Sequence, residues 1–431
     1  MTDKPIAYVL AGGKGTRLFP LTRDRSKPAV PFGGIFRVGD FCFSNLLNAG
    51  IRRIHVLTQH EPRSLEKHIA TGWVNLVGTG LGEFIRILPP VTGSVGGWYT
   101  GTADAVTKNK RYIEEYDNIS VVDIFGGDHI YVMDVSQMNA YHFEKDADLT
   151  ISTIPVRREL AARNYGVVVV DENWQIVGFE EKPDEPIPIL GNENYCLVSM
   201  GNYAFKAGVL IEELESDGNK GTVSNKSDIV GNEDRFSTHD FGNDVIPAMI
   251  KSERKVFAYN FAENEIPGLS EEEEIRFKEA PFWRDIGGLD QYYDANMEIR
   301  SVKPPINLYN PKWEIHTRIP CSQPAKFVGS SEDSKSIDSL VANGVIISHS
   351  SVEESVVGYR ARINDGSIVR RSIIFGDSEI NGAKIENCIV DKHVIIPKGT
   401  VIGVDNEEDR KRGFTVSNNG ITVVPRNYRF Q

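Results

Sequence analysis

The chain has 431 residues, 40% hydrophobic and 25% charged, with 48 Lys and Arg against 60 Asp and Glu, for a net charge of -12. At roughly 150 residues per domain this is an ordinary globular composition for two or three domains. Its acidity excludes a general nucleic-acid or membrane-surface binder, because such a surface would repel the polyanion. Any phosphate chemistry must therefore rest on positive charge concentrated locally.

No continuous apolar run approaches 18 residues, so no transmembrane helix is expected. Met1–Pro5 has no basic segment leading into an apolar one, so no signal peptide is expected, and a cytoplasmic location is. Cys42, Cys196, Cys321 and Cys388 are scattered, and no pair has metal-ligand spacing. They read as reduced thiols serving as small hydrophobes.

Taken in chain order, Ile6–Leu10, Ile54–Thr58, Ile119–Phe125 and Leu149–Pro155 are short apolar runs, and amphipathic stretches such as Phe41–Leu47 and Ser64–Ile69 lie between them. Such alternation predicts an α/β fold with a doubly wound, mostly parallel sheet. Ligands of such sheets bind beyond the carboxyl ends of the strands. Three of the runs lead directly into Gly12-Gly13, Gln59-His60 and Gly126-Gly127-Asp128. Gly166–Val170 and Gln175–Phe179 read as a hairpin. Gly218–Thr238 is polar and reads as a surface loop without a core of its own. Ser301–Lys326, with five prolines, reads as a linker. Beyond Ser339 the pattern changes. Val352, Val357, Ile363, Ile368, Ile374, Ile380, Ile385, Val390, Val394 and Val401 recur about every five or six residues among Gly, Asn, Asp and Ser. That is the spacing of a β-helix built from hexapeptide coils, which must stack to bury their apolar faces. The expected division is a catalytic domain over 1–300, a linker over 301–338 and a β-helix over 339–431.

Three motifs carry chemistry. Leu10–Leu18 lacks the Gly-Lys-Ser/Thr ending of a Walker loop, and Leu18 stands where a dinucleotide fingerprint needs its third glycine. Its glycines, Gly12, Gly13 and Gly15, still let backbone N–H groups approach phosphates, and Lys14 and Arg17 bring charge. Lys27 in Ser26–Ala29 adds a nearby cation. Asp128 ends a strand, with two glycines before it that leave room. A carboxylate there suits Mg2+ bridging substrate phosphates, and Asp285 in Phe282–Gly287 is the candidate second carboxylate. His129 beside it reads as structural. Lys182, between Glu181 and Pro183, is either a solvated edge or an anion ligand.

Together these motifs resemble the sugar-phosphate nucleotidyltransferases, and among them the bacterial ADP-glucose pyrophosphorylases. The resemblance runs in order through nearly the whole chain. It is carried by Leu10–Leu18, Lys27–Gly34, Phe36–Phe41, Ser44-Asn45, Trp98–Ala105, Gly127–Tyr131 and Trp283–Gly287. It implies ATP and glucose 1-phosphate as substrates, a C-terminal left-handed parallel β-helix, a homotetramer and a place in glycogen synthesis. It further implies that Arg17 and Lys27 serve the ATP phosphates and that Asp128 and Asp285 hold Mg2+. Gln59 is implied near the base. Tyr99, Gly166, Glu181, Lys182 and Ser199 are implied at the glucose 1-phosphate site, with Lys182 on the sugar phosphate. No nucleophilic side chain is needed, since the sugar phosphate attacks the α-phosphorus directly.

The chain departs from the resemblance at Asp24, Pro31 and Glu115. There, relatives activated by fructose 1,6-bisphosphate carry lysine, histidine and arginine. Arg25, Arg37, Lys392 and Arg426 remain as candidate ligands for anionic effectors, so weakened or altered allosteric control is expected. Two other readings share the same residues: an enzyme making UDP-, dTDP- or GDP-sugars, and a non-catalytic regulatory subunit of the same fold. An acyltransferase reading of the β-helix would have only His349 and His393 as bases.

Overall fold

The computed structural model describes residues 5–90, 97–116, 118–224, 227, 229, 231–330 and 332–430. The Met1–Lys4 start and positions 225, 226, 228 and 230 of the polar loop lie outside them. Among the described residues no helix is long and apolar enough to cross a membrane.

The expected doubly wound sheet is present, with nine strands. Its parallel core places Ile6–Ala11 between Val121–Gly126 and Arg53–Thr58, with Phe84–Leu88 beyond. Ile6 and Tyr8 face one apolar layer with Val106, Leu210 and Leu214. Ala7 and Val9 face the other, with Phe43 and Leu46 of the Val38–Asn48 helix. Burial on both faces is why these strands read as continuous apolar runs rather than alternating ones. Because the strands are parallel, their carboxyl ends share one edge, and Gly12, Gln59 and Asp128 meet there.

Tyr195–Lys206 runs antiparallel to Val121–Gly126 and carries the hairpin of Gly166–Val170 and Ile176–Glu181. Leu149–Arg157 pairs with Tyr195–Lys206 and with Val256–Asn260, and so joins the sheet through those strands. A short ribbon pairs Trp283–Asp285 with His129–Tyr131 and sets Asp285 opposite His129.

Two expectations need correction. The polar loop has an anchored base: Gly221–Thr222 pairs with Phe236–Ser237, and Asp217, Ile229, Ser237 and His239 are buried. The proline-rich 301–326 segment is a packed strap, with Ile306, Trp313 and Ile315 buried against the first domain. Its backbone is tied to the Val38–Asn48 helix: Asn48 Nδ2 donates to the Glu314 carbonyl at 2.9 Å, and His316 N donates to Ser44 Oγ at 2.9 Å. Proline prevents regular structure there but does not prevent burial.

The C-terminal region forms three parallel sheets wound as a β-helix. Strands Lys326–Val328 and Lys335–Ile337 already belong to the stack. Inward residues on one side, Ile347, Ile363, Ile380 and Ile396, step by 16 or 17. A strict period of six therefore drifts. Ile368 and Val401 point outward, and their neighbours Val369 and Ile402 fill the core. The other eight positions expected inside are buried. Buried serines close the corners: Ser350, Ser355, Ser367, Ser372 and Ser378 each accept from a backbone N–H one coil on. The two domains share one core, in which Phe36, Tyr292 and Tyr293 pack with Val356, Ile373, Phe375 and Ile389.

Candidate active site

The loop after the first strand turns at Gly15, whose φ of 61° is left-handed and free of strain only for glycine. Thr22 Oγ1 donates to the Gly15 carbonyl at 2.8 Å and holds the turn. Gly13, Gly15, Arg17 and Lys27 line a small cavity of about 170 Å³ that also reaches Asp128 and Gly287. Arg17 is exposed at its mouth.

Lys27 is nearly buried. Its Nζ bridges Asp128 Oδ2 at 2.8 Å and Asp285 Oδ1 at 2.9 Å. Burial alone would lower the Lys27 pKa, but the two carboxylates hold it above its ordinary value. Enclosure would raise that of Asp128. The charges of Lys27 and His129, with the Lys27 hydrogen bond, outweigh it and hold the carboxyl below the usual range. Asp128 is thus ionised at neutral pH in this pairing. Ligand atoms of Asp128, His129 and Asp285 lie within 4.8 Å of one another. Two hard carboxylates beside a phosphate-sized cavity are the donor set Mg2+ prefers, so the residues fit the ion.

A larger cavity of about 470 Å³ adjoins the first and shares Leu10, Gly13 and Asp128 with it. Gly12, Gln59, Tyr99, Glu181 and Lys182 line it. Gln59 Oε1 accepts from Tyr99 N at 2.5 Å, so the ends of two segments lock together. Glu181 Oε1 pairs with Lys182 Nζ at 2.9 Å, and burial, opposing that charge, is overcome. Gly166 and Ser199 stand behind the wall and do not line it. Gly166 leaves space for the Glu181 carboxylate, and Ser199 Oγ accepts from Gly201 N at 3.2 Å. Thr102, Gly201, Tyr203, Asp240, Phe241 and Gly242 also line the cavity. Sequence reasoning missed these. Thr102 lies in the Trp98–Ala105 stretch but had no role assigned, and no local motif marks the others, although Asp240-Phe241-Gly242 has the acid–glycine character that singled out Asp128.

The four candidate effector residues converge on a different cavity, of about 390 Å³, between the domains. Arg25, Arg37, Lys392 and Arg426 line it together with Lys67, Arg318 and Arg360. Arg25 Nη2 donates to Asp391 at 2.8 Å with both groups buried, while Arg25 Nη1 and Arg426 Nε are buried without partners. Burial, reinforced by Arg37 and Arg25, lowers the Lys392 pKa to about 8. Burial likewise lowers that of Arg37 to about 10, against the pull of Asp40. Of the three departures, only Pro31 lines this cavity. Asp24 is exposed and paired with Arg23 at 3.0 Å, and Glu115 caps the Arg111–Glu114 helix elsewhere. The three departures therefore do not all line this cavity.

Comparison with known proteins agrees with this architecture. A nucleotidyl transferase family model matches residues 6–302, and a GlmU-like C-terminal hexapeptide model matches 323–424. The chain is 45% identical to the glucose-1-phosphate adenylyltransferase of Geobacter metallireducens over 98% of both chains. It is 43% identical to that of Thermus thermophilus over 99% of both, and 41% identical to that of Deinococcus radiodurans over the full length of both.

Proposed function

The chain belongs to the nucleotidyl transferase family, among the glucose-1-phosphate adenylyltransferases, and on that premise we propose that it joins ATP to glucose 1-phosphate, releasing diphosphate and ADP-glucose for glycogen synthesis. The observation that carries the reading is the juxtaposition of the two cavities at Asp128. One is lined by the glycine loop, Arg17 and Lys27, and the other by Tyr99, Glu181 and Lys182.

In this reading a phosphate oxygen of glucose 1-phosphate attacks the α-phosphorus in line, and the bond to diphosphate breaks. Lys182 and Tyr99 hold the sugar phosphate, with Gly166, Glu181 and Ser199 shaping that side. Gly12, Gly13 and Gly15 present backbone donors to the nucleotide phosphates, and Gln59 sits toward the base. Arg17 and Lys27 offset charge gathering on the leaving diphosphate. Asp128 and Asp285 would hold Mg2+, which when bound supplies charge neutralisation and alignment of phosphate oxygens. No side chain needs to become a covalent intermediate. The intact set of Arg17, Lys27, Asp128, Lys182 and Asp285 favours a catalytic chain over a regulatory one.

Residues 1–300 form the catalytic unit in this reading. Segment 301–338 joins it to a β-helix unit over 339–431, its strands already stacking on the first coil. The enzyme is taken as a cytoplasmic homotetramer, and the inter-domain cavity as a site for anionic effectors. Diphosphate release from glucose 1-phosphate across a panel of ATP, UTP, dTTP and GTP tests the reaction. ATP should be preferred, and preference for another nucleotide would overturn the adenylyl assignment.

A further inference from the structure

The polar loop that the motifs left without a role is tied to the sugar side of the site by one imidazole. His239 is buried, and its Nδ1 hydrogen-bonds Asp217 Oδ2 at 2.7 Å. Its Nε2 lies 3.0 Å from Thr222 Oγ1. Ser237 Oγ donates to the other Asp217 oxygen at 2.7 Å. Thus His239 and Asp217 together join the end of the Ala207–Gly218 helix to both strands at the loop's base. The same residue has a left-handed backbone, φ 55°, which a non-glycine residue adopts only when its surroundings hold it.

That conformation aims the His239 carbonyl at the start of the Thr102–Thr107 helix, where it accepts from Ala103 N at 2.9 Å and Asp104 N at 3.2 Å. These are two of the donors a helix start leaves unpaired. The approach is so close that a Cβ on Gly101 would lie 2.1 Å from the His239 oxygen. Only glycine fits there. The neighbouring contacts repeat the lock: Thr102 Oγ1 donates to Asp240 Oδ2 at 2.8 Å and accepts from Phe241 N at 3.0 Å. Tyr99, Gly101 and Thr102 form one wall of the larger cavity, and Asp240, Phe241 and Gly242 form another.

We propose that His239, held by Asp217 and Thr222, is a positioning residue that fixes the spacing of these two walls and so sets the fit of the sugar phosphate. It does not line the cavity, so it acts through Gly101 and Asp240. The nucleotide side meets these walls through Gln59, which accepts from Tyr99 N, while the glycine loop is held by its own turn, where Thr22 donates to the Gly15 carbonyl. The effect should fall more heavily on the sugar phosphate than on the nucleotide. The inference rests on the proposed assignment of the larger cavity to glucose 1-phosphate.

The test is steady-state kinetics of the full-length His239→Ala, His239→Gln and Asp217→Asn variants, with thermal midpoints measured alongside. His239→Ala should raise KM for glucose 1-phosphate by roughly tenfold to a hundredfold, the scale of a small misplacement, and change KM for ATP far less. His239→Gln, which keeps a donor and an acceptor, should recover much of the loss. Should the alanine variant fail to fold, the split is read from the other two. Equal rises in both KM values, unchanged values, or a fall in kcat alone would each overturn the inference. A wild-type protein inactive with glucose 1-phosphate but active with another sugar phosphate would overturn the function assignment instead.

Discussion

The molecule holds two cation clusters, and they are built oppositely. At the sheet edge Lys27 lies between Asp128 and Asp285, so each buried charge has a partner and the lysine is held more basic than usual. Between the domains Arg25, Arg37, Lys392 and Arg426 share one cavity, with Asp391 committed to Arg25 and Asp377 to Arg360. There, burial and mutual repulsion make Lys392 less basic. A balanced cluster can exchange partners, taking up a metal and phosphates together. An unbalanced one stores a cost that an anion relieves. An acidic chain can therefore handle polyanions in two ways, and the net charge of -12 reports neither.

The largest effect should come from breaking the balanced cluster. Asp128→Asn keeps the shape, and Lys27 retains Asp285, but one of the two hard metal ligands is lost. Diphosphate release at saturating ATP should fall by about a hundredfold or more, the scale seen when one preorganised electrostatic group is removed. Chelation of divalent ions should abolish wild-type turnover. Near-normal activity in Asp128→Asn would end the comparison, since the carboxylate pair would then be structural.

The unbalanced cluster gives a smaller, pH-dependent signal. Inorganic phosphate or fructose 1,6-bisphosphate should raise the thermal midpoint of the wild type. The sign follows from Lys392. An anion favours its protonated form, which is abundant below about pH 8 and depleted above it. Stabilisation by the anion should thus be full below pH 8 and decline as pH rises through it. Lys392→Gln should be stabilised less and should show a flatter profile. An equal anion response in wild type and Lys392→Gln would remove the cavity from the argument.

The same contrast explains what could be read in advance. Gly12–Arg17 and Asp128 were legible because each sits directly after a strand, where local sequence and chemistry coincide. The stacking β-helix was legible from its repeat, but not its register. Coils of uneven length moved Val369 and Ile402 inside in place of Ile368 and Val401. Asp240 and Thr102 were not legible, since their meaning depends on a carbonyl from residue 239 reaching Gly101. The strap was misread because composition reports the local freedom of a proline-rich segment. Trp313 and Ile315 are buried by what lies beneath it.

A third charge site sharpens the rule, because among the described residues it has no cation partner. Asp123, on the strand that leads to Asp128, is fully buried and, among the described residues, accepts from Asn139 Nδ2 at 3.1 Å. Its other oxygen and Asn139 Oδ1 are both without partners. Burial raises its pKa to about 7. The folded state therefore holds this proton where the unfolded chain has released it, so stability contributed here is full below about pH 4 and lost by about pH 7. Asp123→Asn is isosteric, carries no charge, and can place an amide donor against Asn139 Oδ1. Its thermal midpoint should match the wild type near pH 4 and exceed it by a few degrees above pH 7, on the order of 2–4 °C per kcal/mol for a domain this size. A midpoint difference that does not change with pH would mean that Asp123 is ionised in place, and that a buried carboxylate here needs no cation.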